Sequence, residues 1–427
     1  MKHIVFVESN ACGLLGIKTA KELGYYVSFV RSLDFEDFYK HDSIFEEIIS
    51  NVDNCILLNE SLNEDNIFEV CTELNDKKPI DAVISLLEYA ILYVAKAAKR
   101  LNIPFTSLEA VESARDKSIM RKKLDAAQLS NIPYVCGNDD ILLLEQADKL
   151  GYPLIVKPAK GSASLLIKRA NNYQELKSAL ESYKNDLNNL DKVLRNIIGE
   201  EILIEKFLSG EMFSLEIGVL NNYFFPFAVT DRKRYILDDS IELGGTMNAD
   251  LPEHIIKQIH AYGIDFLKMM GLDLGIFHIE MILTSNGPVV IDPNARLIGG
   301  LAPKMLSTAI GHNIYEILID IHLRQLDKVL EKDLSIKRYA TDRDFACSES
   351  GILKEKLELG WLSDYYAKGL SDFRLDISPG EAYKKVSSNH DYIGAIVVNA
   401  ATPIESKKLA EEILLNIKDS LSIPLIT

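Results

Sequence analysis

Two mostly apolar runs separated by a short turn, between Phe277 and Ile291, restrict the fold of this chain more than any other feature. The segment between the runs is Ser285-Asn286-Gly287. Asn and Gly tolerate the positive φ angles of tight turns, so the pattern predicts a β-hairpin. If residues 285–287 form the loop, Glu280 lies directly opposite Asp292.

Polar side chains gather on one face of this predicted hairpin. Side chains alternate along a strand, so Val290, Asp292 and Asn294 are expected on one face, with His278 and Glu280 beside them. Two carboxylates that oppose each other in this way repel. Either a different register or a neighbouring lysine relieves the repulsion, or a cation binds between the two acids.

A cation is the interpretation that the next residues favour. The amide of Asn294 and the guanidinium of Arg296 follow Asp292 in the alternating pattern. Oxygen ligands are what a hard cation such as Mg²⁺ prefers, and Mg²⁺ keeps other positions for water and substrate phosphates. We therefore expect Glu280, Asp292 and Asn294 near a metal and a phosphate group.

Two lysines stand in contexts that suit phosphate binding. Lys157 ends the apolar run Leu154-Ile-Val and precedes a loop of small residues, Gly161 to Ser164. Small residues allow backbone N–H groups to approach phosphate oxygens closely. Lys117 begins a helical segment, where an ordinary solvated lysine is the alternative. The loop lacks the GxxxxGK[ST] pattern, so it is not a Walker P-loop.

The chain as a whole alternates strands and helices. Residues 1–112 read as an open parallel α/β domain, with strands at Ile4–Val7, Tyr25–Val30, Asp81–Ser85 and Ile103–Phe105. Residues 113–323 read as an α+β domain, and a helix predicted over about 314–330 follows its strands and crosses this boundary. Residues 324–427 read as a smaller α+β domain. GxGxxG is absent, so no dinucleotide site is expected in the first domain.

Composition excludes several classes of protein. With 47 Lys and Arg against 63 Asp and Glu, the formal net charge is −16. Such a chain lacks the basic surface that non-specific nucleic-acid binding needs. No apolar stretch approaches the roughly 20 residues of a membrane span. The first residues resemble a strand instead of a signal peptide, and a cytoplasmic protein is expected. The five cysteines show no CxxC spacing.

Together these motifs resemble the ATP-grasp fold, in the branch of carboxylate–amine ligases that includes the bacterial L-amino acid (dipeptide) ligases. The resemblance extends over nearly the whole chain, since that family has an N-terminal α/β domain and a small C-terminal domain. The motifs that carry it are, in order, Ala114-Arg-Asp-Lys117-Ser-Ile-Met-Arg, Pro153-Leu-Ile-Val-Lys157-Pro, Gly161-Ser-Ala-Ser, Ile204-Glu205-Lys-Phe-Leu208-Ser-Gly210-Glu211, Phe277-His-Ile-Glu280 and Ile291-Asp-Pro-Asn-Ala-Arg-Leu-Ile-Gly-Gly300.

The resemblance implies a role for each matching residue. The ATP site would consist of Lys117, Lys157, Gly161, Ser162, Ser164, Glu205, Lys206, Phe207, Leu208 and Glu211. Of these, Glu205 to Leu208 would read adenine and Glu211 would meet the ribose. Glu280, Asp292 and Asn294 would hold two Mg²⁺ ions. Mn²⁺ can substitute for Mg²⁺ in such sites. Lys157 and Arg296 would be catalytic, with Arg296 neutralising the transferred phosphoryl group.

The resemblance also implies the reaction. A small-molecule carboxylate, expected to be an amino acid, would be phosphorylated by ATP and joined to an amine, giving an amide or dipeptide, ADP and phosphate. An enzyme that phosphorylates bicarbonate or another small acid for nucleotide or cofactor synthesis is the first alternative. A non-catalytic ATP-binding module is the second. The family suggests a homodimer. The basic run Arg232-Lys233-Arg234 is either part of a substrate site or a solvated turn.

Overall fold

An open parallel sheet forms the N-terminal part of the molecule. The computed structural model describes residues 1–39, 44–161, 165–236, 238–389 and 391–426, without the side chains of Phe38, Val193, Asp239 and Ser240. The first elements are β1 (His3–Val7), α1 (Leu14–Glu22), β2 (Tyr26–Ser32), a 3-10 helix (Glu36–Phe38), α2 (Phe45–Asn51), β3 (Asn54–Leu58), α3 (Glu64–Lys77), β4 (Ala82–Ile84) and α4 (Ile91–Leu101). The strands are parallel in the order β3-β2-β1-β4. The predicted open α/β arrangement is confirmed.

The strand predicted at Ile103–Phe105 was wrong. These residues instead follow the end of α4, where Asn102 adopts a left-handed conformation with φ 54°. The Ile103 N–H donates to the carbonyl of Ala98, which closes the last turn of the helix. A backbone N–H that caps a helix is not available to a strand partner.

A small antiparallel sheet follows. The next elements are α5 (Leu108–Arg115), α6 (Lys117–Ala126), β5 (Tyr134–Gly137), α7 (Asp140–Asp148), β6 (Leu154–Pro158), β7 (Lys168–Ala170), α8 (Tyr173–Asn189), α9 (Lys192–Ile198) and β8 (Ile202–Lys206). Strands β5, β8, β6 and β7 pair in that order. Helix α8 buries Leu176, Leu180 and Tyr183 in the same hydrophobic cluster as Leu154 and Val156 of β6. The other lysine-bearing segment, α6, is joined to the end of β6 by the Lys117 N–H, which donates to the carbonyl of Ala159.

A long, eight-stranded antiparallel sheet is formed by the rest of the chain. Its strands and the helices around them are β9 (Glu211–Leu220), β10 (Tyr223–Tyr235), β11 (Asp238–Met247), α10 (Glu253–Met270), β12 (Leu274–Thr284), β13 (Gly287–Asn294), α11 (Ala302–Ile310), α12 (Ile314–His322) and α13 (Leu326–Leu330). The C-terminal segment adds β14 (Tyr339–Asp344), β15 (Gly351–Ile352), α14 (Leu362–Tyr366), β16 (Leu370–Leu375), β17 (Ala382–Tyr383), β18 (Gly394–Ala400) and α15 (Pro403–Leu421).

The C-terminal segment shares this sheet with the middle of the chain. The strand order is β13-β12-β9-β10-β11-β14-β18-β16, so the sheet continues across the predicted boundary at 323/324. Thr246 of β11 pairs with Thr341 of β14, and their hydroxyl oxygens lie 3.0 Å apart. The domain boundaries at 112/113 and 323/324 stay predictions.

One hydrophobic cluster joins the N-terminal sheet to the rest. Ile4 and Phe6 of β1 share it with Leu306 of α11 and Leu318 of α12, all almost fully buried. Burial of each such side chain contributes about 1.5–3 kcal/mol. The predicted continuous helix 314–330 is interrupted between α12 and α13, because Arg324 takes a left-handed φ of 56°.

Gly244 marks the junction between β11 and β14. Its φ is 106°, and a Cβ at this position would lie 2.3 Å from the carbonyl oxygen of Asp342. We expect Gly244→Ala to destabilise the fold by about 1–3 kcal/mol, through the unfavourable φ and the backbone clash. Urea unfolding measures the change. Gly360→Ala is the matched control, because its Cβ would meet no described heavy atom within 4 Å. If the two variants were equally stable, the unfavourable φ and the backbone clash expected at residue 244 would be contradicted.

Candidate active site

A cleft of about 2790 Å³ opens between the small sheet, the long sheet and the N-terminal domain. Its lining includes the predicted residues Lys117, Lys157, Gly161, Glu205, Lys206, Phe207, Leu208, Glu211, Glu280, Asp292, Asn294 and Arg296. Ser162 and Ser164, also predicted to contact ATP, lie outside the described residues. The structure thus brings together residues that are up to 179 positions apart in sequence, between Lys117 and Arg296. Their individual roles stay predictions.

The hairpin holds the two predicted metal-binding acids opposite each other. Glu280 pairs with Asp292 and His278 with Asn294. The turn is one residue shorter than expected, because Thr284 pairs with Gly287. A β-bulge after Glu280 restores the expected pairing, since Met281 pairs with Val290 and leaves Ile291 as the extra residue.

The bulge also changes which side chains share a face. Val290 was expected beside Asp292, and this was wrong. Val290 packs with Met281 in a hydrophobic cluster, whereas Ile291 and Asp292 line the cleft. An extra residue in one strand reverses the alternation beyond it, so Val290 and Asp292 no longer point to the same side.

A lysine and an imidazole relieve the repulsion between the two acids. Lys117 Nζ lies 2.9 Å from Asp292 Oδ1. His278 Nε2 lies 3.2 Å from Glu280 Oε1, and its Nδ1 lies 2.7 Å from Glu216 Oε1. Burial lowers the pKa of His278, but Glu216 and Glu280 outweigh it and raise that pKa to about 9. The resulting imidazolium and nearby arginines hold the pKa of Glu280 at about 2 against the opposing effect of burial.

Asp292 differs from Glu280 in its electrostatics. Burial and the nearby Glu280 carboxylate raise the pKa of Asp292, although Lys117 opposes the shift. In the described part of the chain, no group of three His, Cys, Asp or Glu side chains is placed to hold a metal. Two acids and the Asn294 amide nonetheless fit Mg²⁺, which uses one or two carboxylates and completes its coordination with water and phosphate oxygens.

Helix α6 places Lys117 at its first position. The Asp116 carboxylate caps the helix by accepting hydrogen bonds from the N–H groups of Ser118 and Ile119. The Lys117 N–H donates to the carbonyl of Ala159, and its Nζ donates to the carbonyl of Gly161 at 2.9 Å. The lysine thereby joins the start of the predicted phosphate loop to the acid on β13.

The second lysine, Lys157, is paired with Glu205 inside the protein. Lys157 Nζ lies 2.7 Å from Glu205 Oε2, and Arg121 Nε donates to Glu205 Oε1 at 2.6 Å. Burial raises the pKa of Glu205, but Arg121 and Lys157 together lower it to about 2. Burial lowers the pKa of Lys157, and Glu205 opposes this shift. The Glu205 side chain is therefore occupied by ion pairs.

Two backbone hydrogen bonds hold the predicted adenine-binding segment at the end of β8. The Lys206 N–H donates to the carbonyl of Pro133, and the Phe207 N–H donates to that of Pro153. The next backbone donor along the segment is the Leu208 N–H. The Arg169 guanidinium lies 4.2 Å from the centroid of the Phe207 ring, which forms part of the cleft wall.

Arg296 is held by an acid from the N-terminal domain. Its Nε lies 2.8 Å from Glu88 Oε2, and Glu88 Oε1 accepts a hydrogen bond from Arg115 Nη1 at 2.7 Å. Although burial opposes ionisation, Arg296 and Arg115 lower the pKa of Glu88. Arg296 Nη1 also donates a hydrogen bond to the carbonyl of Leu297. Glu88 fixes this guanidinium in the cleft.

The sequence reasoning missed Glu88, Arg121 and Glu216, whose side chains contact the predicted residues. For two of these residues, the sequence contained a feature that could have identified them. Glu88 follows β4, at the carboxyl edge of a parallel sheet where ligands commonly bind. Arg121 lies one helical turn after Lys117, so the two share a helix face. Glu216 had none, because only its pairing with His278 across β9 and β12 places it here.

On the side of the cleft near the C-terminal segment, charged residues of both signs form a wall of mixed charge, made of Arg232, Arg234, Glu242, Asp342 and Asp344. Arg232 Nη2 lies 2.5 Å from Glu242 Oε2, and Arg234 Nη2 lies 3.3 Å from Glu242 Oε1. Asp342 and Asp344 of β14 also line the cleft. Burial and the carboxylates of Asp342 and Glu242 raise the pKa of Asp344 to about 8. Arg232 and Arg234 are thus part of the cleft and not of a solvated turn.

Two family models match this chain. The model of the ATP-grasp domain matches residues 150–304, and that of the ATP-grasp N-terminal domain matches residues 17–105. The chain belongs to the ATP-grasp family. Both matched segments contribute to the cleft, through Lys157 and Arg296 on one side and Glu88 on the other.

Several proteins named as synthases or ligases are similar to this ATP-grasp chain. Dapdiamide A synthase of Enterobacter agglomerans is 23% identical over 326 residues, 73% of this chain and 70% of that protein. A D-alanine–D-alanine ligase of Clostridium botulinum is 23% identical over 293 residues, 64% of this chain and 91% of that ligase. The crystal structure of an L-amino acid ligase from Bacillus licheniformis matches with a TM-score of 0.83 at 21% identity. The match covers 100% of this chain and 99% of the ligase chain.

These similarities confirm the predicted family, the ATP-grasp fold and the enzyme class, an ATP-dependent carboxylate–amine ligase. Among the described residues, no helix is long and apolar enough to cross a membrane.

We expect Asp292→Asn to weaken the binding of Mn²⁺ in the presence of ADP by about tenfold or more, because the variant loses one charged oxygen ligand. Electron paramagnetic resonance of free Mn²⁺ measures the affinity. Asp333→Asn is the control, since Asp333 pairs with Lys337 on an exposed surface. Unchanged Mn²⁺ affinity in Asp292→Asn would refute the metal assignment.

Proposed function

We propose that this ATP-grasp enzyme activates an amino acid as an acyl phosphate and joins it to the amine of a second amino acid. The products are a dipeptide or related amide, ADP and phosphate. The observation that carries the proposal is the convergence of Lys117, Lys157, Arg296 and the acid pair in one cleft. A binding module without turnover needs no such combination of phosphate-neutralising and metal-binding groups.

The first step is phosphoryl transfer. A carboxylate is a poor acylating agent because its leaving group would be oxide. One carboxylate oxygen attacks the γ-phosphorus of ATP, the bond from that phosphorus to the β,γ-bridging oxygen breaks, and ADP leaves. Lys157 and Arg296 neutralise charge on the transferred group, so catalysis consists of positioning and electrostatic stabilisation.

The second step forms the amide. The amine nitrogen attacks the acyl carbon, the carbon–oxygen bond to phosphate breaks, and the nitrogen releases a proton to solvent. Arg296 would stabilise the tetrahedral oxyanion. The ion pair with Glu88, which holds its guanidinium in the cleft wall, supports this role. No side chain of the protein has to act as a nucleophile.

The acid pair fits a divalent cation. Glu280, Asp292 and Asn294 would hold Mg²⁺, with two ions expected when the nucleotide is bound, and bound Mg²⁺ neutralises phosphate charge. In the structure Lys117 occupies one oxygen of Asp292. Lys117 would exchange this contact for a phosphate oxygen when the metal binds.

The wall of mixed charge favours amino acids over bicarbonate. An amino acid carries an ammonium and a carboxylate group, and the wall contains both a guanidinium and a carboxylate in the ion pair of Arg232 and Glu242. Bicarbonate has one charged group and needs no acidic partner. Recognition by several polar groups is also what allows an enzyme to discriminate between small substrates. A homodimer in the cytoplasm stays a prediction.

The first test is phosphate release from Mg-ATP with pairs of amino acids, simple amines and bicarbonate, followed by mass spectrometry. We expect release that requires both an acid and an amine, with a product one water lighter than their sum. Release with bicarbonate alone would favour the alternative enzyme. Binding of ATP with no release for any pair would favour a binding module and contradict the proposal.

Arg296→Ala tests the role of the guanidinium. We expect turnover to fall by about 10²–10³-fold, as for loss of one oxyanion-stabilising donor, while ATP still binds. Steady-state kinetics and calorimetry separate the two effects. Arg338→Ala provides the control, because Arg338 lies outside the cleft lining on the segment before β14. Unchanged turnover in Arg296→Ala would contradict the assigned role.

A further inference from the structure

A fully buried guanidinium, that of Arg121, lies beneath the nucleotide end of the cleft. Its side chain has no exposed surface, and it does not itself line the cleft. Arg121 is the last residue of a motif that carries the family resemblance, but neither that resemblance nor the proposed mechanism gives it a role. Burying a charge is costly unless it is paired, so a fully buried arginine in an enzyme calls for an explanation.

Arg121 contacts the elements that carry the predicted nucleotide-binding residues. Its Nε donates to Glu205 Oε1 on β8, at 2.6 Å. Its Nη1 donates to the carbonyl of Val290 on β13, at 2.8 Å, and to Asn131 Oδ1 at 3.2 Å. The Asn131 amide in turn donates to the carbonyl of Arg121. One side chain thus joins α6 to the strands of the hinge and of the acid pair.

The charges around Glu205 do not cancel. Its carboxylate lies between two cations, with Arg121 on one oxygen and Lys157 on the other. One negative and two positive charges leave a net charge of +1. Of the two cations, only Lys157 lines the cleft. Without Arg121, the carboxylate would neutralise Lys157, and the cleft would lose its positive charge at this point.

We propose that Arg121 is a positioning residue that neutralises Glu205 and thereby leaves the charge of Lys157 available to the nucleotide's phosphates. The inference rests on the proposed function, because it requires a nucleotide in the cleft. Interactions between charges are strong where water is excluded, so the loss of one buried counter-ion affects the others.

The test compares ligands with and without phosphates. Binding of Mg-ADP and of adenosine is measured by calorimetry for the wild type and for Arg121→Met. We expect the variant to bind Mg-ADP about tenfold or more weakly, as for loss of a charge-assisted contact, with adenosine affinity within about twofold. A purely structural role would weaken both ligands alike, and that result would overturn the proposal.

A second substitution reverses the effect if the charge argument is correct. Glu205→Gln removes the carboxylate that Arg121 neutralises, so the double variant Arg121→Met/Glu205→Gln should recover most of the Mg-ADP affinity. In Glu205→Gln alone, the ratio of Mg-ADP affinity to adenosine affinity should be at least that of the wild type. Weaker Mg-ADP binding in Glu205→Gln at unchanged adenosine affinity would contradict the proposal, even if Arg121→Met does not fold.

Two controls complete the design. Arg31→Met removes a largely buried arginine that pairs with Glu36 at 2.9 Å in the N-terminal domain, outside the cleft lining, and it should change neither affinity. Arg121→Lys keeps the charge and should retain the ratio of Mg-ADP to adenosine affinity. If the wild type bound no nucleotide, the proposed function would fail together with this inference; normal wild-type binding that Arg121→Met left unchanged would refute the inference alone.

Discussion

The pairing of buried charges is the constraint on which the rest of this structure depends. A carboxylate removed from water must be ion-paired or hydrogen-bonded, because an unpaired charge in the interior costs several kcal/mol. Glu205 lies between Arg121 and Lys157, Glu88 between Arg115 and Arg296, and Asp292 next to Lys117. The partners in each set come from different helices, strands or loops. Only arrangements of these elements that keep the ion pairs intact avoid leaving a buried charge unpaired.

This arrangement has a chemical consequence. Three cations expected to meet phosphates, Lys117, Lys157 and Arg296, are ion-paired with carboxylates of the protein. Lys157 and Lys117 are held in ion pairs, so the proposed binding of phosphates would require little ordering of long flexible side chains. Groups that are ordered before binding lower the entropic cost of the reactive arrangement.

The contact between Glu88 and Arg296 connects the N-terminal domain to the chemistry. Glu88 follows a strand of the parallel sheet, whereas Arg296 follows the hairpin of the long sheet. The hydrophobic cluster shared by β1, α11 and α12 holds these two parts together. Small shifts between them would change the position of the guanidinium. The apolar packing of the N-terminal domain is thus part of the catalytic arrangement proposed for this ligase.

The amino-acid sequence by itself determined most local elements, the parallel N-terminal sheet, the hairpin and many of the residues that line the cleft, since these follow from periodicity, turn chemistry and motif order. Only the tertiary structure decided the partners of those residues. The bulge at Ile291 compensates for the shorter turn and moves Val290 into the core, and no periodic pattern predicts an extra residue in a strand. Arg121, Glu88 and Glu216 meet their partners 84, 208 and 62 positions away. Such contacts depend on how whole elements pack, because an ion pair forms wherever folding brings opposite charges together in a site without water.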